Sequence, residues 1–173
     1  MSDLLESMQT RRSIRKYKTD MIPREIIDEI VKAGTYAATA MNKQSPIIIA
    51  VTNKEMRDKL SCMNAEIMES DCDPFYGAPV VLIVLADKTI ATRVYDASLV
   101  MGNLMLAAHV RGIGSCWIHR AKQEFETEEG KEILKSLGIT GEYEGIGHCI
   151  LGYVDGEYPQ ASARKENWVY YID

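Results

Sequence analysis

The feature that most constrains the fold is an apolar run of seven residues at positions 80–86, with the sequence VVLIVLA. It contains no polar side chain, so a strand built from it has no face that suits water. Such a strand is typical of the middle of a sheet that other elements cover on both sides. We therefore expect a layered domain with this run at its centre.

Periodicity predicts the elements around that centre. Two more strands are predicted, at 47–51 and 145–153, and residues 112–118 are predicted to be a glycine turn that leads into a third. Helices are predicted from about 23 to 40, where Met41 breaks the first one, and over 53–67, 92–111 and 127–137, where apolar residues recur at helical spacing. The helix at 92–111 is so apolar that we expect it to be mostly buried. Asp20 or an adjacent residue is expected to cap the first of these helices and Asn53 the second, and Gly138 is expected to end the last. The elements predict one domain, 1–173, whose sheet carries helices on both faces.

Bulk properties exclude several classes of protein. The chain has 173 residues and a formal net charge of −5, which argues against a general nucleic-acid binder. No apolar run reaches the length of a membrane span, and the acidic start of the chain lacks a signal sequence. Its four cysteines and three histidines show no metal-ligand spacing. We expect a cytoplasmic protein with reduced thiols, no metal, no nucleic acid and no membrane partner.

A basic segment, residues 11–18 (RRSIRKYK), stands out against this acidic background. It holds five cations in eight residues, together with the hydroxyl of Ser13. Guanidinium groups fork onto phosphate oxygens, and a hydroxyl adds a further hydrogen bond, so the segment suits a phosphate. The competing interpretations are a solvated surface run and a loose patch that binds nucleic acid.

The order of several short stretches resembles the FMN-dependent nitroreductase family. The stretches are RRSIR at 11–15, AATAMNKQ at 37–44, YGAPV at 76–80, the helix-and-turn region from 96 to 118, and more weakly Arg164-Lys165. Each alone is weak, whereas the ordered set covers nearly the whole chain. The resemblance favours the phosphate interpretation of the basic segment.

The resemblance implies a three-layer α+β fold with a central mixed sheet and helices on both faces. It also implies an obligate homodimer with two FMN sites at its interface, and a C-terminal tail, about 155–173, that wraps the partner subunit. The implied activity passes a hydride from NADH or NADPH through flavin N5 to an electron-poor acceptor, by ping-pong kinetics. A nitroaromatic, a quinone or an activated alkene would serve as acceptor. The flavin carries the chemistry, so no catalytic side chain is expected.

Specific residues acquire roles from the same resemblance. The phosphate would be held by Arg11, Arg12, Ser13 and Arg164, with Lys165 beside it. Arg15 would reach the ribityl chain or the pyrimidine edge of the ring. Thr39, Ala40 and Asn42 match a loop that the second subunit lays against the flavin. Gly114, Ser115 and Cys116 match a turn whose backbone lies beside the isoalloxazine.

Some features depart from the family pattern or stay open. Ala38-Thr39 replaces the usual Pro-Ser, and Ser162 stands where a lysine is common, which shifts the expected phosphate contacts toward Arg11 and Arg164. Asn64 could touch the flavin edge. Cys116 and His119 are more often packing and structural residues than catalytic ones. Two other functions remain: a flavin-binding or sensory protein without nicotinamide-driven turnover, and a nucleic-acid binder that uses the basic segment.

Overall fold

The computed structural model describes residues 4–173 and is centred on a four-stranded sheet. The strands are β1 (Pro46–Val51), β2 (Val80–Asp87), β3 (Gly114–Ile118) and β4 (Tyr143–Gly152), and they lie in the order β1-β2-β4-β3. All three pairings are antiparallel. The expectation of a mixed sheet therefore needs correction, because the one parallel pairing within the described residues is an isolated bridge between Ser13 and Ser115.

Six α-helices surround this sheet in the described part of the chain. They are α1 (Leu4–Thr10), α2 (Arg24–Thr35), α3 (Lys54–Ile67), α4 (Arg93–Val110), α5 (Ala121–Glu126) and α6 (Glu128–Ser136). A short 3₁₀ turn, Ala40–Asn42, lies between α2 and β1. Helix α5 lies in a stretch where the sequence had predicted only a connection.

Alternate side chains of β2 enter two separate cores. Val81, Ile83 and Leu85 pack with residues of α3, α5 and α6, among them Leu60, Phe125 and Ile133. Val80, Leu82 and Val84 pack with residues of α2 and α4, among them Ile30, Met101 and Leu104. Both sides of the strand are fully buried, as its apolar sequence requires. The predicted three-layer α+β architecture is confirmed.

Helix ends follow the sequence signals in two cases out of three. The Asn53 side chain accepts a hydrogen bond from the backbone N–H of Met56 and caps α3, as expected. Gly138, with a φ of 72°, follows the end of α6. Helix α2 has no side-chain cap, because Pro23 rather than Asp20 occupies the N-cap position.

Helix α4 differs from its predicted burial. Its inner face, including Met101 and Leu104, is fully buried. Its outer face carries Tyr95, exposed by 73%, and Leu99, exposed by 52%. An apolar helix sequence indicates that the helix surface is favourably buried. It does not indicate whether the same chain or another molecule buries it.

Residues after Asp155 form a tail without helix or strand. Every residue from 156 to 173 is exposed, including Trp168 and Tyr171. The sequence would also have allowed a C-terminal strand here, but the described chain has none after Asp155. No helix within residues 4–173 is both long and apolar enough to cross a bilayer.

Candidate functional site

The basic segment is held along the edge strand β3. Ser13 forms a parallel bridge with Ser115, and the backbone N–H of Ile14 donates to the carbonyl of Ser115 over 2.9 Å. The Ile14 side chain is 2% exposed and belongs to the core on the α3 side of the sheet. This end of the segment is therefore fixed by backbone pairing and by apolar burial together.

The other end of the segment pairs with the chain that leaves β4. Tyr17 bridges to Val154, and the N–H of Lys18 donates to the carbonyl of Tyr153 over 2.9 Å. The hydroxyl of Tyr17 donates to the carbonyl of Ile14 over 2.7 Å, and burial raises the pKa of this hydroxyl far above its ordinary value of 10.0, so it stays protonated. The backbone of the segment is therefore not loose, while the side chains of Arg15, Lys16 and Lys18 are exposed.

Two polar groups at the start of the segment and one on the adjoining strand β3 are buried without a partner. Within residues 4–173, no hydrogen bond reaches Nη1 of Arg11, Nε of Arg12 or Oγ of Ser115. Buried donors are normally satisfied, and a charged donor without an acceptor is costly. The missing acceptor is therefore anionic in character. A phosphate has the right chemistry, because its oxygens accept several charged hydrogen bonds at once.

Hydrogen bonds to nearby residues orient the Arg12 side chain. Its Nη1 donates to the carbonyl of Gln9 over 2.8 Å and to the carbonyl of Arg11 over 2.7 Å, and its backbone N–H donates to the hydroxyl of Tyr158 over 3.0 Å. One edge of the guanidinium is thus used to hold the side chain in place. Its Nε remains the group without a protein partner.

His109, near the C-terminal end of α4, lies behind the two arginines. Its Nε2 is 2.9 Å from Oγ1 of Thr10, and its Nδ1 is 3.0 Å from the hydroxyl of Tyr158. Burial, and then the charges of Arg11 and Arg12, lower the pKa of His109 below its ordinary value of 6.5. Sequence reasoning could not identify His109, because its partners Thr10 and Tyr158 lie 99 and 49 positions away.

Arg15 projects into a different environment. It is exposed and lines a cavity of about 240 Å³ together with Ser13, Asp155 and Glu157. Asp155 is also paired with Lys16 at 2.9 Å. The wall balances the carboxylates of Asp155 and Glu157 against the cations of Arg15 and Lys16, so it suits a neutral, hydroxyl-bearing group better than a phosphate.

Gly114, Ser115 and Cys116 are buried residues of β3, and not a turn as expected. The turn precedes them at Gly112, whose φ is 72°. A Cβ on Gly114 would lie 3.0 Å from Val154, 3.1 Å from Ile14 and 3.2 Å from the carbonyl of Gly152. Gly114 thus lets the basic segment pack closely on β3.

The loop with Thr39, Ala40 and Asn42 lies at the opposite end of α4. The N–H of Ala40 donates to a carboxylate oxygen of Asp96 over 3.2 Å. Asp96 and His109 are 13 positions apart on α4, which is about 20 Å of helix. The structure therefore does not bring this loop to the basic segment of the same chain.

Backbone strain is concentrated in that loop. Met41, Asn42 and Gln44 have positive φ values of 50°, 52° and 49°. The conformation is held by the N–H of Gln44, which donates to the hydroxyl of Thr39 over 3.1 Å, and by the Gln44 amide, which donates to Asn42 over 3.0 Å. A cavity of about 390 Å³ opens between this loop, α2, β1 and α4. Residues held in such conformations concentrate at functional sites.

Arg164 and Lys165 make their contacts within the tail itself. Arg164 donates from Nε and Nη2 to the carbonyl of Ser162, over 3.3 Å and 2.8 Å. The ammonium of Lys165 lies 5.1 Å from the ring centre of Trp168. Both side chains are in the exposed tail.

Asn64 has no group left for a ligand. It is fully buried, and its amide nitrogen donates to the carbonyl of His119 over 2.9 Å and to Glu124, while its oxygen accepts from Nε of Arg120 over 2.7 Å. The expectation that it could touch a flavin edge is wrong for this conformation. His119 itself is exposed beside Trp117.

The remaining candidate groups belong to the core. His148 is fully buried, with Nε2 at 3.0 Å from Oε2 of Glu124. Cys116 is 2% exposed, which agrees with a packing role. Burial raises the pKa of the neighbouring Cys149 thiol. In the part of the chain that the structure describes, no three His, Cys, Asp or Glu side chains form a metal site.

Comparison with known proteins assigns the family. The profile of the Nitroreductase family matches residues 8–71 and 64–153, so the chain belongs to the nitroreductase family. A Methanothermobacter thermautotrophicus protein, provisionally named as an NADH dehydrogenase/NAD(P)H nitroreductase, is 36% identical over 124 residues, which are 66% of this chain. An Archaeoglobus fulgidus protein with the same provisional name is 32% identical over 162 residues, or 91% of this chain.

Solved structures agree with this assignment. The crystal structure of a Bacteroides fragilis nitroreductase with bound FMN is similar over 100% of both chains, with a TM-score of 0.90 and 26% identity. The share of the relatives' own length that the chain covers is uneven. It spans 88% of the Archaeoglobus protein and 60% of the Methanothermobacter protein.

Proposed function

We propose that this chain is an FMN-dependent oxidoreductase that draws its electrons from NADH or NADPH. The observation that carries the proposal is the set of buried, unpartnered donors of Arg11, Arg12 and Ser115, at the edge of β3. The family assignment and the FMN bound in the Bacteroides fragilis structure support the choice of ligand. A phosphate-bearing cofactor would supply the acceptor that these donors lack.

The residues of this chain would divide the cofactor between two environments. Arg11, Arg12 and Ser13 would hold the phosphate. Arg15 and the adjacent small cavity would receive the polyhydroxylated part, because carboxylates line that cavity and hydroxyl groups can donate to them. Bound FMN would supply the hydride chemistry at N5, between the nicotinamide and an electron-poor acceptor such as a nitroaromatic, a quinone or an activated alkene. The protein would contribute position and charge.

A homodimer would complete the site. The loop of Thr39, Ala40 and Asn42 lies about 20 Å along α4 from His109, so it reaches a flavin only if a second copy presents it. The outer face of α4, with Tyr95 and Leu99, offers apolar surface for that contact. The exposed tail, with apolar residues such as Trp168, would then lie on the partner subunit, and its Arg164 and Lys165 would bring their charges to the phosphate.

The first test is spectroscopic. The purified protein is mixed with FMN, and the visible spectrum is followed before and after anaerobic addition of NADH and of NADPH. We expect a bound-flavin spectrum that bleaches with at least one nicotinamide. Initial rates are then measured with donor and acceptor concentrations both varied. Parallel lines in double-reciprocal plots would support the ping-pong order, and intersecting lines would contradict it.

Two outcomes of the same experiment separate the alternatives. Bound flavin that neither nicotinamide bleaches would favour a flavin-binding or sensory protein. A chain that takes up no FMN would overturn the proposal. Titration with an oligonucleotide at several salt concentrations serves as the control, because a nucleic-acid binder would show steep salt dependence there.

A further inference from the structure

We propose that His109 and Tyr158 are positioning residues for the phosphate end of the cofactor. They act through Thr10 and the backbone of Arg12, and they set the preference of the site for a phosphorylated flavin over the same flavin without its phosphate. The inference rests on the proposed FMN function and adds to it two residues that do not touch the phosphate themselves.

For a neutral His109 ring, the hydrogen bonds around it have only one consistent direction. The hydroxyl of Thr10 donates to the carbonyl of Glu6 over 2.8 Å, which uses its single proton. At the contact of 2.9 Å with His109, Thr10 must therefore accept, so Nε2 of His109 carries the ring proton. The opposite nitrogen, Nδ1, is then an acceptor.

Tyr158 continues the chain of hydrogen bonds to Arg12. Its hydroxyl donates to Nδ1 of His109 over 3.0 Å. The same oxygen accepts the backbone N–H of Arg12 over 3.0 Å. A neutral histidine thus connects the residue before the two arginines with the backbone of the second arginine. The tyrosine and histidine rings also lie against each other, with centres 5.8 Å apart.

This chain of hydrogen bonds holds the backbone that carries the unpartnered donors, and its effect is local to the start of the segment. Thr10 and Arg12 flank Arg11, whose Nη1 is one of the buried groups without a partner. Holding the backbone on both sides fixes the point from which each guanidinium extends. His109 does this without adding charge, since burial and the two arginines keep its pKa low. A correctly placed donor is worth more than a mobile one, because less side-chain freedom is lost on binding.

A plainer role for the pair is possible on the same contacts. Tyr158 could serve only to attach the tail to the domain. That role predicts equal weakening for any flavin, because the isoalloxazine and ribityl parts would be disturbed as much as the phosphate end. The positioning role predicts a loss that appears with FMN and not with riboflavin.

The test is a pair of titrations. Dissociation constants of FMN and of riboflavin are measured by flavin fluorescence, for the wild-type protein and for Tyr158→Phe. The substitution removes one oxygen and keeps the ring contact. We expect FMN affinity to fall about three- to tenfold, the usual effect of one lost hydrogen bond, while riboflavin affinity changes by less than about twofold.

A second variant and a matched control sharpen the result. His109→Gln keeps a donor near Thr10 but cannot span both contacts, so we expect a similar selective loss for FMN. Tyr143→Phe removes a hydroxyl at the far end of β4 and should leave both constants unchanged. Thermal unfolding of each variant shows that it is folded.

Each outcome decides the matter. Equal losses for FMN and riboflavin, or no loss in either variant, would overturn the positioning role and leave the FMN function in place. Wild-type protein that binds neither flavin would overturn both. Wild-type protein that binds the two flavins equally would also overturn the inference, because the site would then have no phosphate preference to set.

Discussion

The basic segment and the C-terminal tail both carry cations that the family resemblance assigns to one phosphate, yet the structure treats them differently. The segment is tied to β3 and to the exit of β4 by long-range backbone hydrogen bonds, from Ile14 to Ser115 and from Lys18 to Tyr153. The tail is exposed, and Arg164 bonds only to the nearby carbonyl of Ser162 among the described residues. Composition makes the two regions similar, and backbone pairing makes them different.

The difference shows which part of the phosphate site is already ordered in a single chain without its ligand. Arg11 and Arg12 are held before any ligand arrives, so little freedom is lost when they bind. Arg164 must still be ordered, by the ligand or by a second copy of the chain. The two regions should therefore contribute unequally to affinity.

The largest expected effect comes from comparing Arg11→Ala with Arg164→Ala. A lost hydrogen bond to a charged group is worth about 1.5–3 kcal/mol, so Arg11→Ala should weaken FMN binding about 10- to 150-fold. Arg164→Ala should weaken it less than about fivefold, because part of its interaction is spent on ordering the tail. Flavin fluorescence titration measures both. Equal losses of FMN affinity would show that the tail is as well ordered before binding as the basic segment.

A smaller effect separates the tail from its attachment at Tyr158. Two shortened chains are compared, one ending after Gln160 and one ending after Gly156. Both lack the exposed apolar stretch with Trp168, so their oligomeric states are matched, as sedimentation can verify. We expect the chain that keeps Tyr158 to bind FMN about three- to tenfold more tightly. Identical affinities would place the whole contribution of the tail beyond residue 160.

The smallest effect concerns pH and the stability of the ligand-free protein. Because burial and the two arginines lower the pKa of His109 in the folded state, the unfolded chain binds more protons below the ordinary value of 6.5. The free energy of unfolding should therefore fall as pH drops below about 6.5 and should show no contribution from His109 above it. Urea unfolding at several pH values measures the slope. In His109→Gln this part of the slope should vanish, and an unchanged slope would assign it to other groups.

Sequence reasoning succeeded where the signal was local. The apolar run at 80–86 became β2, and the capping role of Asn53 depends on contacts within three residues. The exposed face of α4 was missed because the sequence of an apolar helix does not indicate whether its own chain or another chain buries it. The isolated parallel bridge at the sheet edge was hidden for a similar reason: it joins Ser13 to Ser115, about 100 positions away.

Within the site the same distinction holds. The phosphate-suited chemistry of Arg11, Arg12 and Ser13 could be inferred from residue types alone. The assignment of Gly114, Ser115 and Cys116 to a turn was wrong because the strand begins directly at Gly114. His109 and Tyr158 could not be found from sequence, since a lone histidine and a tail tyrosine acquire meaning only when folding brings them to Thr10 and Arg12.

The pairing of Ser13 with Ser115 and of Tyr17 with Val154 also has a consequence during synthesis. Residues 11–18 leave the ribosome early, but the backbone groups that receive them are made about 100 and 140 residues later. Contacts of such long separation form late, because a large loop must close before they can form. Residues 11–18 therefore lack both backbone pairings on the nascent chain until β3 and β4 have emerged. Residues 11–18 are thus translated well before the backbone groups with which they pair.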